Sequence, residues 1–311
     1  TRGRLIAGAL LVAGAVAGAV APSGASGRAV SGPAGAHAES AAPAPPAVPE
    51  HEHEHEHGPA VGVARTERFK KSDPLRHKLR GARPAMEVAA LDRKAMRRAN
   101  PGVDDEHFDA AFADPAMWVD EQGTLFHVDP LPDTTGRLPV DPYVPDPVLA
   151  THDLSTVFEL HSDPGAQRTL FIDFDGATIS GTYWNYGIGD FEVPPFSLDE
   201  DRSTFNNDER SYILEVWMRV AEDYAPFGID VTTEDPGFGG INRSGSSDQE
   251  YGTRAVISQG HEIADSCGCS GIAYVGVTNS TSNHDKYQPA FAFPGDYGPR
   301  RTADTVSHET D

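Results

Sequence analysis

The sequence predicts a mixed α/β fold for the second half of the chain, built as a twisted, mostly parallel sheet with an antiparallel edge strand and covering helices. Three observations lead to this prediction. Short apolar runs of strand length recur between residues 169 and 293, one long stretch repeats its apolar residues at helical spacing, and the two kinds of segment alternate. Such alternation is typical of a largely parallel sheet covered by helices.

The first strand is expected at residues 169–174, where Leu170, Ile172 and Phe174 alternate on one face. The dipeptide Asp175-Gly176 that follows favours a tight turn. We therefore expect this strand to form a hairpin with residues 177–180.

A long helix is expected next. Asn206 and Glu209 have the spacing of a capping box, in which each side chain binds the other residue's backbone N–H. The apolar residues after them recur at steps of one and three, which is the pattern of one helix face: Tyr212, Ile213, Val216, Trp217, Val220, Ala221 and Tyr224. Pro226 and Gly228 are expected to end the helix.

Four further strands are predicted after this helix, at residues 229–233, 254–258, 271–276 and 289–293. The last stretch, residues 302–309, returns to helical character. The order of strand, helix and several strands is the basis for the predicted sheet with helical cover.

The N-terminal third has the composition of an exported precursor. Arg2 and Arg4 precede an apolar stretch at residues 5–21, as in a secretory signal, so residues 1–25 are predicted to be a signal peptide. Residues 26–60 are rich in Ala, Pro and Gly and are expected to be disordered. No later segment is apolar enough to cross a bilayer, so the mature chain is expected to be secreted and free of membrane.

The charge excludes some partners and suggests another. The net charge of −22 argues against a nucleic-acid binder, because phosphate neutralisation needs clustered cations. Residues 61–100 nevertheless carry 12 basic and 4 acidic side chains, whereas residues 101–311 carry 10 basic and 38 acidic ones. We expect residues 61–129 to be a pro-region whose basic part contacts the acidic half of the same chain.

The end of this pro-region is expected to form a small hairpin. Residues 114–130 contain two short apolar runs on either side of Gln122-Gly123, a turn signal. Six prolines in residues 130–147 then predict a linker over residues 130–150.

The candidate catalytic residues are His308 and Glu309. They open the pattern H-E-x-x-H, in which one helix face presents two imidazoles to zinc and the carboxylate between them acts as a base. A single His-Glu pair is weak evidence, so its context decides its weight.

That context resembles the metzincin zinc peptidases, in particular the reprolysin-like group found in secreted bacterial proteins. Residues 169–176 look like the first strand of such a domain, and residues 215–227 look like its long first helix. Residues 271–276 are similar to the antiparallel edge strand that holds an extended substrate, and residues 303–309 match the approach to the zinc helix. The resemblance implies that residues 151–311 are the N-terminal part of a metallopeptidase catalytic domain.

The resemblance also implies the roles of individual residues. His308 would be the first zinc ligand, and Glu309 would be the general base that activates water and protonates the leaving amine. A peptide or protein substrate would pair as an added strand with the backbone of Ile272, Ala273, Tyr274, Val275 and Gly276.

The family motif continues to two more histidine ligands, whereas this sequence reads Glu309-Thr310-Asp311. We therefore interpret the chain as an incomplete, inactive piece of a secreted zinc endopeptidase precursor, with zinc as the cofactor of the complete parent. His261 and His284 lack the spacing that would let them replace the missing ligands on one helix face.

Two functions of other classes stay open. The chain could be a secreted metal-binding protein that works through an alternating His/Glu run containing His51, His53, His55 and His57. Alternatively, the α/β half could be an extracellular interaction module without catalysis.

Smaller motifs suggest a disulfide and a second cation. Cys267 and Cys269 are expected to form a local disulfide in an oxidising compartment. Calcium is a candidate ligand for two acidic groups, residues 199–201 and the pair Asp173 and Asp175, although neither has the 12-residue loop pattern.

Overall fold

The computed structural model describes residues 79, 81–131, 143–199, 201–259, 262–295 and 297–311. The predicted signal peptide, the tail with its histidine run and the first part of the pro-region lie outside the described residues, as does most of the predicted linker. Among the described residues, no helix has both the length and the apolar character needed to cross a membrane.

Six α-helices are described: α1 (Ala90–Met96), α2 (Asp105–Ala111), α3 (Asn207–Tyr224), α4 (Gly237–Ile241), α5 (Glu262–Cys267) and α6 (Gly298–Thr310). Ten strands accompany them: β1 (Arg83–Pro84), β2 (Met117–Val119), β3 (Leu125–Pro130), β4 (Arg168–Asp173), β5 (Ala177–Ile179), β6 (Phe191–Val193), β7 (Ile229–Thr232), β8 (Tyr251–Ile257), β9 (Cys269–Tyr274) and β10 (Ala290–Ala292). Short 3₁₀ helices lie at Ala85–Glu87, Leu149–Thr151, Leu154–Thr156, Tyr183–Asn185, Ala225–Phe227 and His284–Tyr287.

Eight strands form one mixed sheet in the order β1-β2-β3-β9-β10-β8-β4-β7. The pairs β10/β8, β8/β4 and β4/β7 are parallel, and β9 runs antiparallel to β10. The predicted α/β class is therefore confirmed, with a mostly parallel arrangement among the five strands of this sheet that follow residue 150.

The hairpin predicted between β4 and residues 177–180 is wrong. β4 lies inside the sheet between β8 and β7, and β5 pairs with β6 in a separate two-stranded sheet. The turn itself is present, since Gly176 has a φ of +88° and a Cβ there would lie 2.7 Å from the carbonyl oxygen of Val193. Because β4 is apolar enough to be buried on both sides, pairing within the parallel sheet wins over the local turn.

The expectation that β9 is an edge strand is also wrong. The predicted hairpin around Gly123 forms, as β2 and β3, and β3 pairs antiparallel along β9 from Phe126 to Pro130. β9 therefore lies between β3 and β10. An uncovered strand exposes unpaired backbone groups, and here the chain's own hairpin satisfies them.

Helix α3 begins as its sequence predicts. The Asn206 side chain accepts hydrogen bonds from the N–H groups of Asp208 and Glu209, and the Glu209 carboxylate accepts one from the Asn206 N–H at 2.8 Å. The helix is followed by a 3₁₀ turn and by Gly228, which has a φ of +62°. Its apolar face packs under the parallel strands together with Ala303 and Val306 of α6.

The opposite face of the sheet is covered by an aromatic cluster. Phe126 of β3 lies fully buried between Trp118, Trp184 and Tyr274, with ring centroids 5.8 to 6.3 Å apart. Leu125 and Val128 are buried as well. The hairpin is therefore part of the folded core rather than an appendage.

Replacing Phe126 with alanine removes a fully buried ring at the β3/β9 junction. We expect Phe126→Ala to lower the free energy of unfolding by about 3–5 kcal/mol, as large-to-small core changes do. Urea unfolding at neutral pH measures this. Phe238→Ala is the matched control, because that side chain is 71% exposed and its loss should cost less than about 0.5 kcal/mol.

Asp120 closes the turn between β2 and β3. Its Oδ1 accepts hydrogen bonds from the N–H groups of Gln122 at 2.9 Å and Thr124 at 2.8 Å. Burial outweighs these bonds and raises the pKa of the carboxyl to about 6. Ionisation of Asp120 therefore lowers the free energy of unfolding, and this loss grows as the pH rises from about 4 to about 6.

Asp120→Asn keeps a hydrogen-bond acceptor and removes this ionisation cost. We expect the stability of the variant relative to the parent to rise by about 2–3 kcal/mol between pH 4 and pH 7, with the change centred near pH 5. Urea midpoints measured across this range test the prediction. Parallel stability curves for the two proteins would contradict it.

Candidate metal centre

Helix α6 carries His308 and Glu309, and α3 fixes its position. The Tyr212 hydroxyl lies 2.6 Å from Thr302 Oγ1, and the Tyr224 hydroxyl lies 2.8 Å from Thr310 Oγ1. Tyr212 lies near the start of α3 and Tyr224 is its last residue, so these contacts hold α6 near both of its ends. The position of the His-Glu pair is thus set by buried contacts.

The carboxyl group of Glu309 packs directly on β9 at Gly271. A Cβ at Gly271 would lie 2.5 Å from Glu309 Oε1 and 2.8 Å from a methyl carbon of Thr305. Only glycine lets the helix approach the strand this closely. Glycine is therefore required at position 271 by the packing of α6 on β9, and not by a backbone turn.

Strand β3 brings a third side chain to the same place. Its register sets His127 opposite Ala273 and Asp129 opposite Gly271. Directly opposed residues of an antiparallel pair share a face, so His127 and Asp129 lie on the side of the sheet that α6 crosses. Phe126 and Val128 point to the other side, into the aromatic cluster.

His127 and His308 face each other across this gap. His127 Nδ1 and His308 Nε2 are 3.3 Å apart, and the ring planes are inclined at 77°. Two imidazole nitrogens that bind one tetrahedral zinc at about 2.0–2.1 Å are separated by roughly 3.3 Å. The separation of the two ring nitrogens therefore matches that of two ligands on one tetrahedral ion, and it is also within hydrogen-bond distance.

Glu309 completes the group. One atom from each of His127, His308 and Glu309 lies within 4.8 Å of the others, and this is the one such cluster of metal-ligating side chains within the described ranges. Glu309 is only 6% exposed, and both of its carboxylate oxygens are buried without a hydrogen-bond partner. Buried carboxylates without partners are costly, which points to a missing cation or water.

The pKa shifts at the site follow from the same burial. Burial, and secondarily the charge of Asp129, raises the pKa of Glu309 well above its usual range. Burial, and secondarily His308, lowers the pKa of His127, which favours the neutral form of the ring that binds metal ions. Imidazole and carboxylate donors within reach of one another suit zinc and similar divalent ions.

The backbone of Ile272, Ala273, Tyr274, Val275 and Gly276 was expected to bind substrate. In this chain β3 uses that side of the strand, and the Val275 N–H donates to the Leu125 carbonyl at 3.0 Å. Gly276 packs on Gly102, where a Cβ would lie 1.8 Å from the Gly276 carbonyl oxygen. The backbone groups of β9 that face β3 are therefore already paired and are not free to bind an extended peptide.

The other histidines predicted from the sequence do not join the site. His284 is buried and binds locally, with Nε2 3.0 Å from the Thr278 carbonyl oxygen and Nδ1 accepting from the Arg243 N–H at 3.3 Å. His261 and the run at residues 51–57 lie outside the described residues.

The expected disulfide between Cys267 and Cys269 is present and joins the last residue of α5 to the first residue of β9. The carboxylates expected to bind calcium are occupied by protein donors: Arg254 Nε donates to Asp173 at 2.9 Å, and Asn206 Nδ2 donates to Asp199 at 3.0 Å. Calcium binding stays a prediction from the sequence.

Sequence reasoning missed His127. The available signal was its place in a short apolar strand, where His127 and Asp129 alternate with Phe126 and Val128 and so define a polar face. The alternation identifies that face but not what it meets, since the partner residue follows 181 positions later.

Comparisons with protein-family models, with curated proteins and with solved structures find no match to this chain.

Gly271→Ala tests the close approach of α6 to β9. The added methyl group collides with Glu309 and Thr305, so we expect a loss of about 1–3 kcal/mol in the free energy of unfolding. Gly239→Ala is the control: a Cβ there meets nothing within 4 Å, and alanine in a helix should be neutral or stabilising by up to about 1 kcal/mol. Equal stability of the two variants in urea unfolding would refute this packing argument.

Proposed function

We propose that this chain belongs to the precursor of a secreted, zinc-dependent endopeptidase of the metzincin type, with residues 151–311 forming part of its catalytic domain. The observation that carries the proposal is the nearness of the His308 imidazole to the Glu309 carboxyl group, which is buried beside β9 without a hydrogen-bond partner in the described part of the chain. The two residues also have the sequence order with which a zinc-peptidase helix begins.

The chain's own residues supply distinct parts of this chemistry. His308 would hold a divalent ion through a neutral ring nitrogen. The ion, when bound, lowers the pKa of water and polarises the substrate carbonyl. Glu309 takes the proton of the attacking water on its carboxylate and delivers it to the leaving amine nitrogen.

The proposed substrate is an extended peptide or protein segment. Strand addition at an exposed sheet edge uses backbone hydrogen bonds for affinity. β9 would be that edge once β3 is displaced, and it runs beside the Glu309 carboxyl at Gly271. Because β3 is paired with β9 in this structure, we propose that the chain is a precursor and not the active form.

A metal-binding protein without catalysis is the second candidate. The pair of imidazoles 3.3 Å apart favours it, since two histidines and a carboxylate can hold an ion with no substrate. The two candidates differ in what they require of the zinc helix, because a peptidase needs further histidines and a metal-holding chain does not.

The proposal predicts what the gene encodes after the codon for Asp311. Peptidases of this type complete the site with histidines four and ten positions after the first ligand, with a glycine between them. We expect histidines at those distances from His308 when the downstream nucleotide sequence is translated in each forward frame. Their absence from every frame would overturn the peptidase proposal and leave the metal-binding candidate.

A further inference from the structure

We propose that His127 of β3 and His308 of α6 bind the same divalent ion, of the zinc class, so that the metal fastens the β2–β3 hairpin to the zinc helix. The inference rests on the proposed function only for the role of His308 as a metal ligand. It adds a ligand from the N-terminal hairpin, which neither the H-E-x-x-H pattern nor its spacing contains.

The geometry of the two rings is the first support. Their facing nitrogens are 3.3 Å apart, the separation of about 3.3 Å that two ligands of a tetrahedral zinc require. The rings come from segments 181 residues apart and meet edge to face, with centroids 4.8 Å apart. The same two nitrogens are within hydrogen-bond distance of each other, so the zinc titration below distinguishes a shared ion from a direct hydrogen bond between the two rings.

Glu309 gives an independent second support. Both of its oxygens are buried without a hydrogen-bond partner in the described part of the chain, and Asp129 lies opposite Gly271, the residue on which Glu309 packs. A buried carboxyl group without a hydrogen-bond partner is costly, and a bound cation removes that cost. An ion held by His127 and His308 would supply the missing positive charge within reach of Glu309.

The position of His127 is rigid. Phe126 and Val128 on either side of it are buried in the aromatic cluster, and the strand is bonded along β9. The imidazole is therefore presented at a fixed distance from α6, and ligand preorganisation of this kind raises metal affinity.

The consequence concerns peptide binding. β3 takes up the β9 backbone groups that an added substrate strand would use, from Phe126 opposite Tyr274 to Pro130 opposite Cys269. An ion that joins β3 to α6 holds this occupant in place. In the metal-loaded chain, the hairpin therefore excludes an extended peptide from β9.

Zinc binding by the full-length chain tests the proposal. The histidines at positions 51, 53, 55 and 57 are replaced by serine first, so that the tail does not bind the metal. Zinc affinity is then measured by competition with a chromophoric chelator in this parent and in three variants: His127→Ala, His308→Ala and His152→Ala. His152 is exposed and far from the cluster in sequence, which makes it the control.

We expect one zinc ion per parent chain and an affinity loss of at least tenfold in both His127→Ala and His308→Ala, with His152→Ala unchanged. Hydrogen exchange provides the second readout: zinc should slow amide exchange in residues 125–130 of the parent and have no such effect in His127→Ala. Should the alanine variant fail to fold, ¹⁵N shifts of the imidazoles in the unsubstituted parent report ligation of His127 directly.

The outcomes separate this inference from the proposed function. Weakened binding in His308→Ala with parent-like binding in His127→Ala, or zinc-independent exchange at residues 125–130, overturns the shared site and leaves the peptidase proposal standing. Parent-like binding in His308→Ala overturns both. Loss in both variants supports the shared site, while the downstream gene sequence decides the peptidase proposal separately.

Discussion

The close packing of helix α6 on strand β9 is the contact on which the site depends. Gly271 has no side chain, so the carboxyl group of Glu309 can lie against the backbone of the strand, where a Cβ would come within 2.5 Å of it. The same contact buries a carboxylate without hydrogen-bond partners, a cost that folded proteins tolerate mainly at functional sites. Two tyrosine side chains of α3 hold α6 in this position through their hydrogen bonds to threonines of α6.

The N-terminal hairpin adds side chains of its own next to that contact. Because β3 pairs with β9, the face of the sheet under α6 carries His127 and Asp129 as well as Gly271. A helix that would otherwise present one histidine thus meets a second one from a segment far away in sequence. The proposed metal site and the occupation of β9 therefore depend on the same strand pairing.

The sequence predicts local structure well where the signal itself is local. The capping box of Asn206 and Glu209 starts α3 as expected, because both partners lie within one turn. The Asp175-Gly176 turn is also present, yet it does not make a hairpin, since the partner of β4 is chosen by burial in the sheet. His127 escaped prediction for the same reason: β3 pairs with residues of β9 that lie 139 to 148 positions later, and His127 meets His308 181 positions later, which no local pattern encodes.

Zinc X-ray absorption of the full-length chain with its tail histidines replaced tests the central claim most directly, since it reports the ligands around the ion itself. The account predicts two imidazole ligands at about 2.0–2.1 Å with oxygen in the remaining positions, and the loss of one imidazole in His308→Ala. A coordination shell made only of oxygen, or one unchanged by that substitution, would contradict it.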